Sequence, residues 1–100
     1  MKKITQFQKE VYQLCKAIPK GKVTTYKAIA EALGTKAYRA VGSALNKNPY
    51  AAVPCHRVIA ADGSLGGFAY GIARKKQMLE KEGVIMNDDT IDLSISFHQP

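Results

Sequence analysis

The sequence predicts a single, mainly α domain in which short helices are followed by small β-hairpin elements. Three observations carry this reading. Phe7, Val11, Leu14 and Ile18 recur at helical spacing. Two short amphipathic segments flank Gly34. Turn signals at Asp62-Gly63 and Asn87-Asp88-Asp89 interrupt brief β-prone runs. One hundred residues suffice for one domain with one modest core, not two.

The first helix is expected over about residues 6–17. Thr5 and Gln8 have the spacing of a capping box, and Pro19 and Gly21 stop the run. Lys22-Val23-Thr24 reads as a short strand or turn. A second helix starts behind Thr24 or Thr25, carries Ala28, Ile29, Ala32 and Leu33, and ends at Gly34. A third begins near Thr35. Ala37, Ala40, Val41, Ala44 and Leu45 form its apolar face, and Tyr38, Arg39, Gly42, Ser43 and Asn46 its other face. Two such helices around a glycine turn fit a helix-turn-helix and equally an ordinary helical hairpin.

Residues 46–55 form a connection with two prolines. Val58-Ile59-Ala60 reads as a strand, and Asp62-Gly63 predicts a small hairpin behind it. Gly66, Gly67 and Gly71 around Phe68 and Tyr70 suggest a tight loop. The last helix covers about 71–82, with Ile72, Met78 and Leu79 inward, Arg74, Lys75 and Lys76 outward, and Gly83 as its end. In the tail Ile91, Leu93, Ile95 and Phe97 alternate with polar residues, a strand period, which with Val84-Ile85-Met86 makes a terminal hairpin.

Hydrophobic residues are 46% and charged residues 23%, which excludes long disorder. No apolar run approaches the roughly 18 residues of a membrane span, and no secretory h-region follows Lys2-Lys3. Net charge is +7, unevenly spread. Residues 1–79 hold fourteen basic and three acidic residues, whereas 80–100 hold one basic and five acidic. A basic body with an acidic end suits a polyanionic partner such as nucleic acid, or a surface tuned for solubility. Cys15 and Cys55 cannot supply a disulfide framework or a four-ligand zinc site. Thiols in a cytoplasmic (nucleoid) or nuclear setting are the expectation.

Cys55-His56-Arg57 is the most reactive cluster in the chain. The thiolate is the nucleophilic form of cysteine, and a neighbouring imidazole, cation or helix dipole favours it. On an extended segment Cys55 and His56 point to opposite sides, so proton transfer between them needs a bridging water or a kink, which Pro54 favours. Cys15 lies near the apolar stripe of the first helix and reads as a buried, inert thiol.

Pro54-Cys55-His56-Arg57-Val58 resembles the active-site signature of the O6-alkylguanine-DNA alkyltransferases. The resemblance extends over about residues 5–83. Thr5-Gln6-Phe7 with Val11-Tyr12 and Leu14, then Ile18-Pro19-Lys20-Gly21 with Thr25-Tyr26, resemble its opening signatures. Arg39-Ala40-Val41-Gly42 and Asn48-Pro49 resemble its recognition helix and asparagine hinge. Gly63, Gly66, Phe68 and Gly71, then Lys75 through Leu79 to Glu82, resemble its glycine loop and final helix.

The resemblance implies a winged helix-turn-helix-like DNA-binding domain, with the helix-turn-helix at about 25–47. Residues 1–83 would form the DNA-binding and catalytic domain, and 84–100 an acidic tail folded as a β-hairpin. It implies DNA repair by a single-turnover transfer of an alkyl group from guanine O6 to Cys55. His56 would take the thiol proton through a water, Glu82 would orient His56, and Tyr26 would donate to the departing base. The base must be flipped out of the duplex. Arg39 would fill its place, and Tyr38, Ala40, Gly42, Ser43 and Thr25 would meet DNA in the minor groove. Asn48, Val53, Pro54, Arg57, Val58, Gly66, Phe68 and Ala69 would build or brace the base pocket.

No cofactor and no metal are implied. The implied partner is double-stranded DNA containing O6-alkylguanine, and the expectation is a monomer that binds it away from membranes. The resemblance covers the DNA-binding and active-site domain alone, so the separate N-terminal domain that many members carry is not expected here; Phe68 stands where many members have tyrosine, and Ala69-Tyr70 where a small Ser-Gly pair is common. The compact build also resembles the alkyltransferase-like proteins, which flag alkylated DNA for excision-repair proteins without transfer. Those typically carry tryptophan at the cysteine position, whereas this chain has Cys55 and no tryptophan.

Overall fold

A computed structural model describes residues 4–50, 52–66 and 71–100. It is mainly helical, with two small strand pairs. α1 spans Gln6–Lys16, and the capping box is formed: Thr5 Oγ1 accepts from Gln8 N, and Gln8 Oε1 accepts from Thr5 N. β1 (Thr24–Thr25) leads into α2 (Tyr26–Ala32), whose first turn is capped by the Thr25 hydroxyl accepting from Ala28 N. α3 spans Tyr38–Asn46. It starts three residues later than expected because Thr35 accepts from Ala37 N, closing a local turn instead of capping a helix. α2 and α3 pack on each other and on α1, the arrangement of a helix-turn-helix on a supporting helix.

A single 3-10 turn, Cys55–Arg57, runs directly into β2 (Val58–Ile59). β2 pairs in parallel with β1, Thr24 opposite Val58 and Thr25 opposite Ile59. The hairpin expected at Asp62-Gly63 therefore does not form with β2. Gly63 N donates to Ala60 O and Ala60 N to Ser64 O, a turn too tight to return along the strand, and Ser64 bridges Thr90 instead. α4 is Ile72–Lys81; β3 (Met86–Asn87) and β4 (Thr90–Ile91) make an antiparallel hairpin. The strand period of residues 91–97 is overridden after Ile91. Asp92 accepts from Ser94 N and starts a short helix, α5 (Leu93–Ser96). Val23 then takes the chain's end: its N–H donates to Ser96 O at 2.8 Å and its C=O accepts from His98 N at 2.7 Å.

Burial falls into two clusters that share the β1–β2 seam rather than one core. Val58 and the helical residues Val11, Cys15, Ile29, Val41 and Leu45 form one, and Ile59 with Val23, Leu65, Leu79, Val84 and Ile91 the other. Adjacent strand residues point to opposite faces, so the two residues of β2 serve different clusters. Two inward and outward assignments on α4 reverse. Ile72 is 54% exposed, whereas Lys75 is wholly buried.

Candidate active site

The site begins with a kinked backbone. Asn48 folds the connection behind α3: its Oδ1 accepts from Tyr50 N, and its Nδ2 donates to Tyr50 O at 2.9 Å and Val53 O at 3.3 Å. Cys55 N then donates to Val53 O, and Arg57 N to Pro54 O, which winds Cys55–Arg57 into the 3-10 turn. The segment is thus not extended, and consecutive side chains fan outward about one third of a turn apart. Cys55 is half-buried against the helical cluster, and His56 is buried.

Glu82, just past the end of α4, holds both neighbours of the thiol. Its Oε2 lies 3.0 Å from His56 Nε2 and accepts from Arg57 Nη2 at 2.6 Å, while Oε1 accepts from Arg57 Nε at 2.9 Å. Arg57 Nη1 donates to Ile18 O at 2.8 Å, tying the fork to the end of the α1 region. Burial alone would push the Glu82 carboxyl up; the hydrogen bonds and charges of Arg57 and His56 outweigh it and hold the group below the ordinary glutamate value. Glu82 therefore stays anionic and fixes the His56 ring.

A second group lies across the fold. Lys75 Nζ donates to Val58 O at 2.7 Å and to Tyr26 Oη at 3.4 Å, and sits 5.7 Å from the Tyr26 ring centre. Burial lowers its pKa to about 8, with the nearby thiols acting in the other sense. Burial also raises the Tyr26 pKa, so the phenol keeps its proton near neutrality. Gly66, at φ +70°, passes directly over the ring: a Cβ there would lie 3.1 Å from Tyr26 Cε2 and 3.2 Å from Oη. Sequence reading missed Lys75 because a lysine between Arg74 and Lys76 looks solvated. Its position four residues before Leu79 and seven before Glu82 places it on the inward stripe.

Several expected residues stand differently from the sequence reading. Thr25, assigned to DNA contact, is buried and spends its hydroxyl as the α2 cap. The Val58 side chain belongs to the core, and only its carbonyl serves the site. Gly42 is half-buried against the Tyr26 ring, so it sits at the α2–α3 contact rather than on the open face. Tyr38, Arg39, Ala40 and Ser43 are exposed on α3. Phe68 and Ala69 lie outside the described residues. Asn48, Val53, Pro54, Cys55, His56 and Arg57 share one cleft of about 920 Å³. Tyr26 borders a separate cleft of about 700 Å³ with Tyr38, Lys36 and the Ala60–Asp62 turn. Among the described residues, no three His, Cys, Asp or Glu side chains converge as a metal site, and no helix is long and apolar enough to cross a membrane.

Residues 6–84 match the model of the family described as 6-O-methylguanine DNA methyltransferase, DNA binding domain. The chain belongs to this family. It is 52% identical over 82 residues to the methylated-DNA–protein-cysteine methyltransferase of Sulfolobus acidocaldarius, covering 81% of this chain and 52% of the relative. The chain thus spans about half the length of the curated family members it matches. Among solved structures, it is similar to Mycobacterium tuberculosis OGT in complex with DNA (46% identity, TM-score 0.76, covering 80% of this chain and 51% of that one). It is also similar to S. pombe Atl1 in complex with damaged DNA containing O6-carboxymethylguanine (32% identity, TM-score 0.83, covering 99% of this chain and all of that one). The matched span ends at Val84, so it includes Cys55, His56, Arg57, Lys75 and Glu82.

Proposed function

We propose that this chain repairs DNA by moving an alkyl group from guanine O6 to Cys55, once per molecule. The observation that carries the reading is the Glu82 carboxylate shared by His56 and Arg57 on the turn that presents the thiol. In the reaction the thiol proton passes through a water to His56, whose positive charge Glu82 balances. The thiolate attacks the alkyl carbon, an S–C bond forms, and the C–O6 bond breaks with its electron pair on the guanine. The Tyr26 phenol, protonated near neutrality, supplies a hydrogen bond or a proton to the departing base; His56 then gives up the proton it took, any proton lost by Tyr26 is restored, and in net the thiol proton ends on guanine. The product is a thioether, which explains a single turnover.

Double-stranded DNA is the partner, and the alkylated base reaches the thiol by flipping out of the stack. Arg39, exposed near the start of α3, fills the vacated position, with Tyr38, Ala40 and Ser43 beside it in the minor groove. Relatives crystallised with DNA support the choice of DNA as the partner. The test is intact-protein mass spectrometry after incubation with a duplex carrying one O6-methylguanine. The expected result is a gain of one CH₂ unit on the Cys55 peptide, absent in Cys55→Ala. Tight lesion binding with no gain would instead make the chain a lesion-flagging protein that hands damage to excision repair.

A further inference from the structure

The reaction at Cys55 uses one border of the second cleft, Tyr26, and gives the rest of that cleft no role. It measures about 700 Å³, inside the roughly 300–1,000 Å³ range of small-molecule sites. Its walls are mainly apolar, and two tyrosines line it: Tyr26, the first residue of α2, and Tyr38, the first residue of α3. Tyr38 is 50% exposed, whereas its exposed neighbours Ala40 and Ser43 carry little side chain. The turn before α3 fixes where Tyr38 stands. Ala37 N donates to Thr35 Oγ1 at 3.2 Å, and Tyr38 N donates to Lys36 O at 2.9 Å.

The charge of the cleft bears on what it takes. Lys27 and Lys36 line it, and so do Glu31 and Asp62, so the ionised side chains among its described residues cancel. Asp62 is held as the anion: Ser64 N and Oγ both donate to its Oδ1, at 3.0 and 2.7 Å. A groove for phosphate carries a surplus of cations. A balanced, apolar cleft flanked by tyrosines suits an uncharged, flat group instead. On a DNA-binding surface that group is a nucleobase, which stacks on an aromatic side chain whatever its identity.

Tyr38 and Arg39 cannot address the same nucleotide. Consecutive helical residues diverge by about 100°, so the ring turns away from the gap that Arg39 fills. The bases beside that gap have each lost a stacking partner, which makes them the least costly to move next. We infer that this cleft is a second base site, in which Tyr38 stacks on the nucleobase adjoining the lesion in the same strand. The inference rests on the DNA-repair reading above and extends it. Two nucleotides are displaced rather than one, the alkylguanine towards Cys55 and its neighbour towards Tyr38.

The experiment measures Kd by fluorescence anisotropy for a duplex carrying one O6-methylguanine, with every chain in the Cys55→Ala background so that the lesion persists. Tyr38→Ala and Tyr38→Leu should each weaken binding about fivefold or more, the size of one lost base–aromatic stack. Tyr38→Phe keeps the ring and should bind within about twofold of the parent. Two further duplexes lack the base 5′ or 3′ to the lesion and keep the sugar-phosphate chain. On one of them the Tyr38→Ala penalty should vanish, because the base that the ring stacks on is gone. That outcome also separates stacking from misfolding, which would weaken binding to every duplex alike. A penalty that survives on both abasic duplexes would overturn the inference, since Tyr38 would then touch the backbone or the lesion itself. So would Tyr38→Ala binding as tightly as the parent, or Tyr38→Phe losing as much as Tyr38→Ala. A parent with no affinity for any of these duplexes would overturn the DNA-repair reading, and this inference with it.

Discussion

Lys75 lies inside the fold with the Val58 carbonyl and the Tyr26 hydroxyl as partners, and its pKa falls to about 8 from 10.5. The unfolded chain therefore binds more protons than the folded one between those two values. The burial penalty is full below pH about 8 and is relieved as pH rises towards 10.5. Replacement by methionine removes this term. The stability of Lys75→Met relative to the parent should fall by about 3 kcal/mol across that window, read as the difference between paired urea melts. The comparison must be paired, because Cys15 works in the opposite sense: burial pushes its thiol up to about 12, which costs the folded state as pH rises above the ordinary thiol range. Glu82 titrates at the acid end. Its lowered pKa supplies stability that is present above the ordinary glutamate value and lost as pH falls through the lower folded value. Glu82→Gln should flatten that acid limb in urea melts and slow transfer, whereas Arg39→Ala should slow transfer and leave the melts unchanged. At this scale the sequence showed the residues that cluster, because Cys55, His56 and Arg57 are contiguous and Glu82 stands at a motif position. It did not show that one carboxylate serves both His56 and Arg57. Nor did it show Lys75 inside, since flanking cations disguise a buried one.

The elements meet through glycines whose missing side chains set their spacing. At Gly66 a Cβ would press on the Tyr26 ring and hydroxyl, and the backbone already has a positive φ. Gly66→Ala should cost about 1–2 kcal/mol and slow transfer by displacing the phenol, an effect that stopped-flow assays on methylated duplex would separate from the stability loss. At Gly63 a Cβ would come within 2.7 Å of Ile91 O, a main-chain atom, while Gly63 O accepts from Ile91 N at 2.9 Å. Gly63→Ala should therefore be the more damaging of the two, by roughly 2–3 kcal/mol in the midpoint of denaturant unfolding. Helix boundaries were legible wherever a cap was explicit: Thr5 with Gln8, Thr25, and Gly34. They slipped where a side-chain oxygen had a closer use, as with the hydroxyl of Thr35 and the carboxylate of Asp92. Strand pairing was the least legible. Nothing local says that Val58–Ile59 pairs with Thr24–Thr25, more than thirty residues away, because that choice depends on how the helical and tail clusters share the seam.

For the whole molecule, charge is the property that the sequence displays most openly. The excess of cations over residues 1–79 predicts that DNA affinity falls with salt. A fourfold rise in salt should cost at least roughly tenfold in Kd, the loss expected when two or more phosphates are neutralised. Fluorescence anisotropy with undamaged duplex measures it, and a flat titration would contradict a phosphate-driven interface. The acidic tail is not a free counterweight to this charge. Ile91 and Val84 are buried with the body, Lys76 pairs with Asp89 at 2.9 Å, and Lys22 Nζ donates to Ile95 O. The exposed Lys76–Asp89 pair adds little to stability. What docks the tail is the buried apolar surface and the main-chain bonds to Val23.

Those bonds have a consequence for how the protein is made. The N–H and C=O of Val23 wait for Ser96 and His98, at the other end of the chain. Until residues 96–98 have left the ribosome, the segment that would satisfy them is absent, and Val23 lacks its partners. α1 to α3 can gather early through local contacts, but the second cluster closes only once residues 84–93 have emerged. Until then the nascent chain is a helical subdomain with an open edge, and its β1 side is the last part of the fold to find its partners.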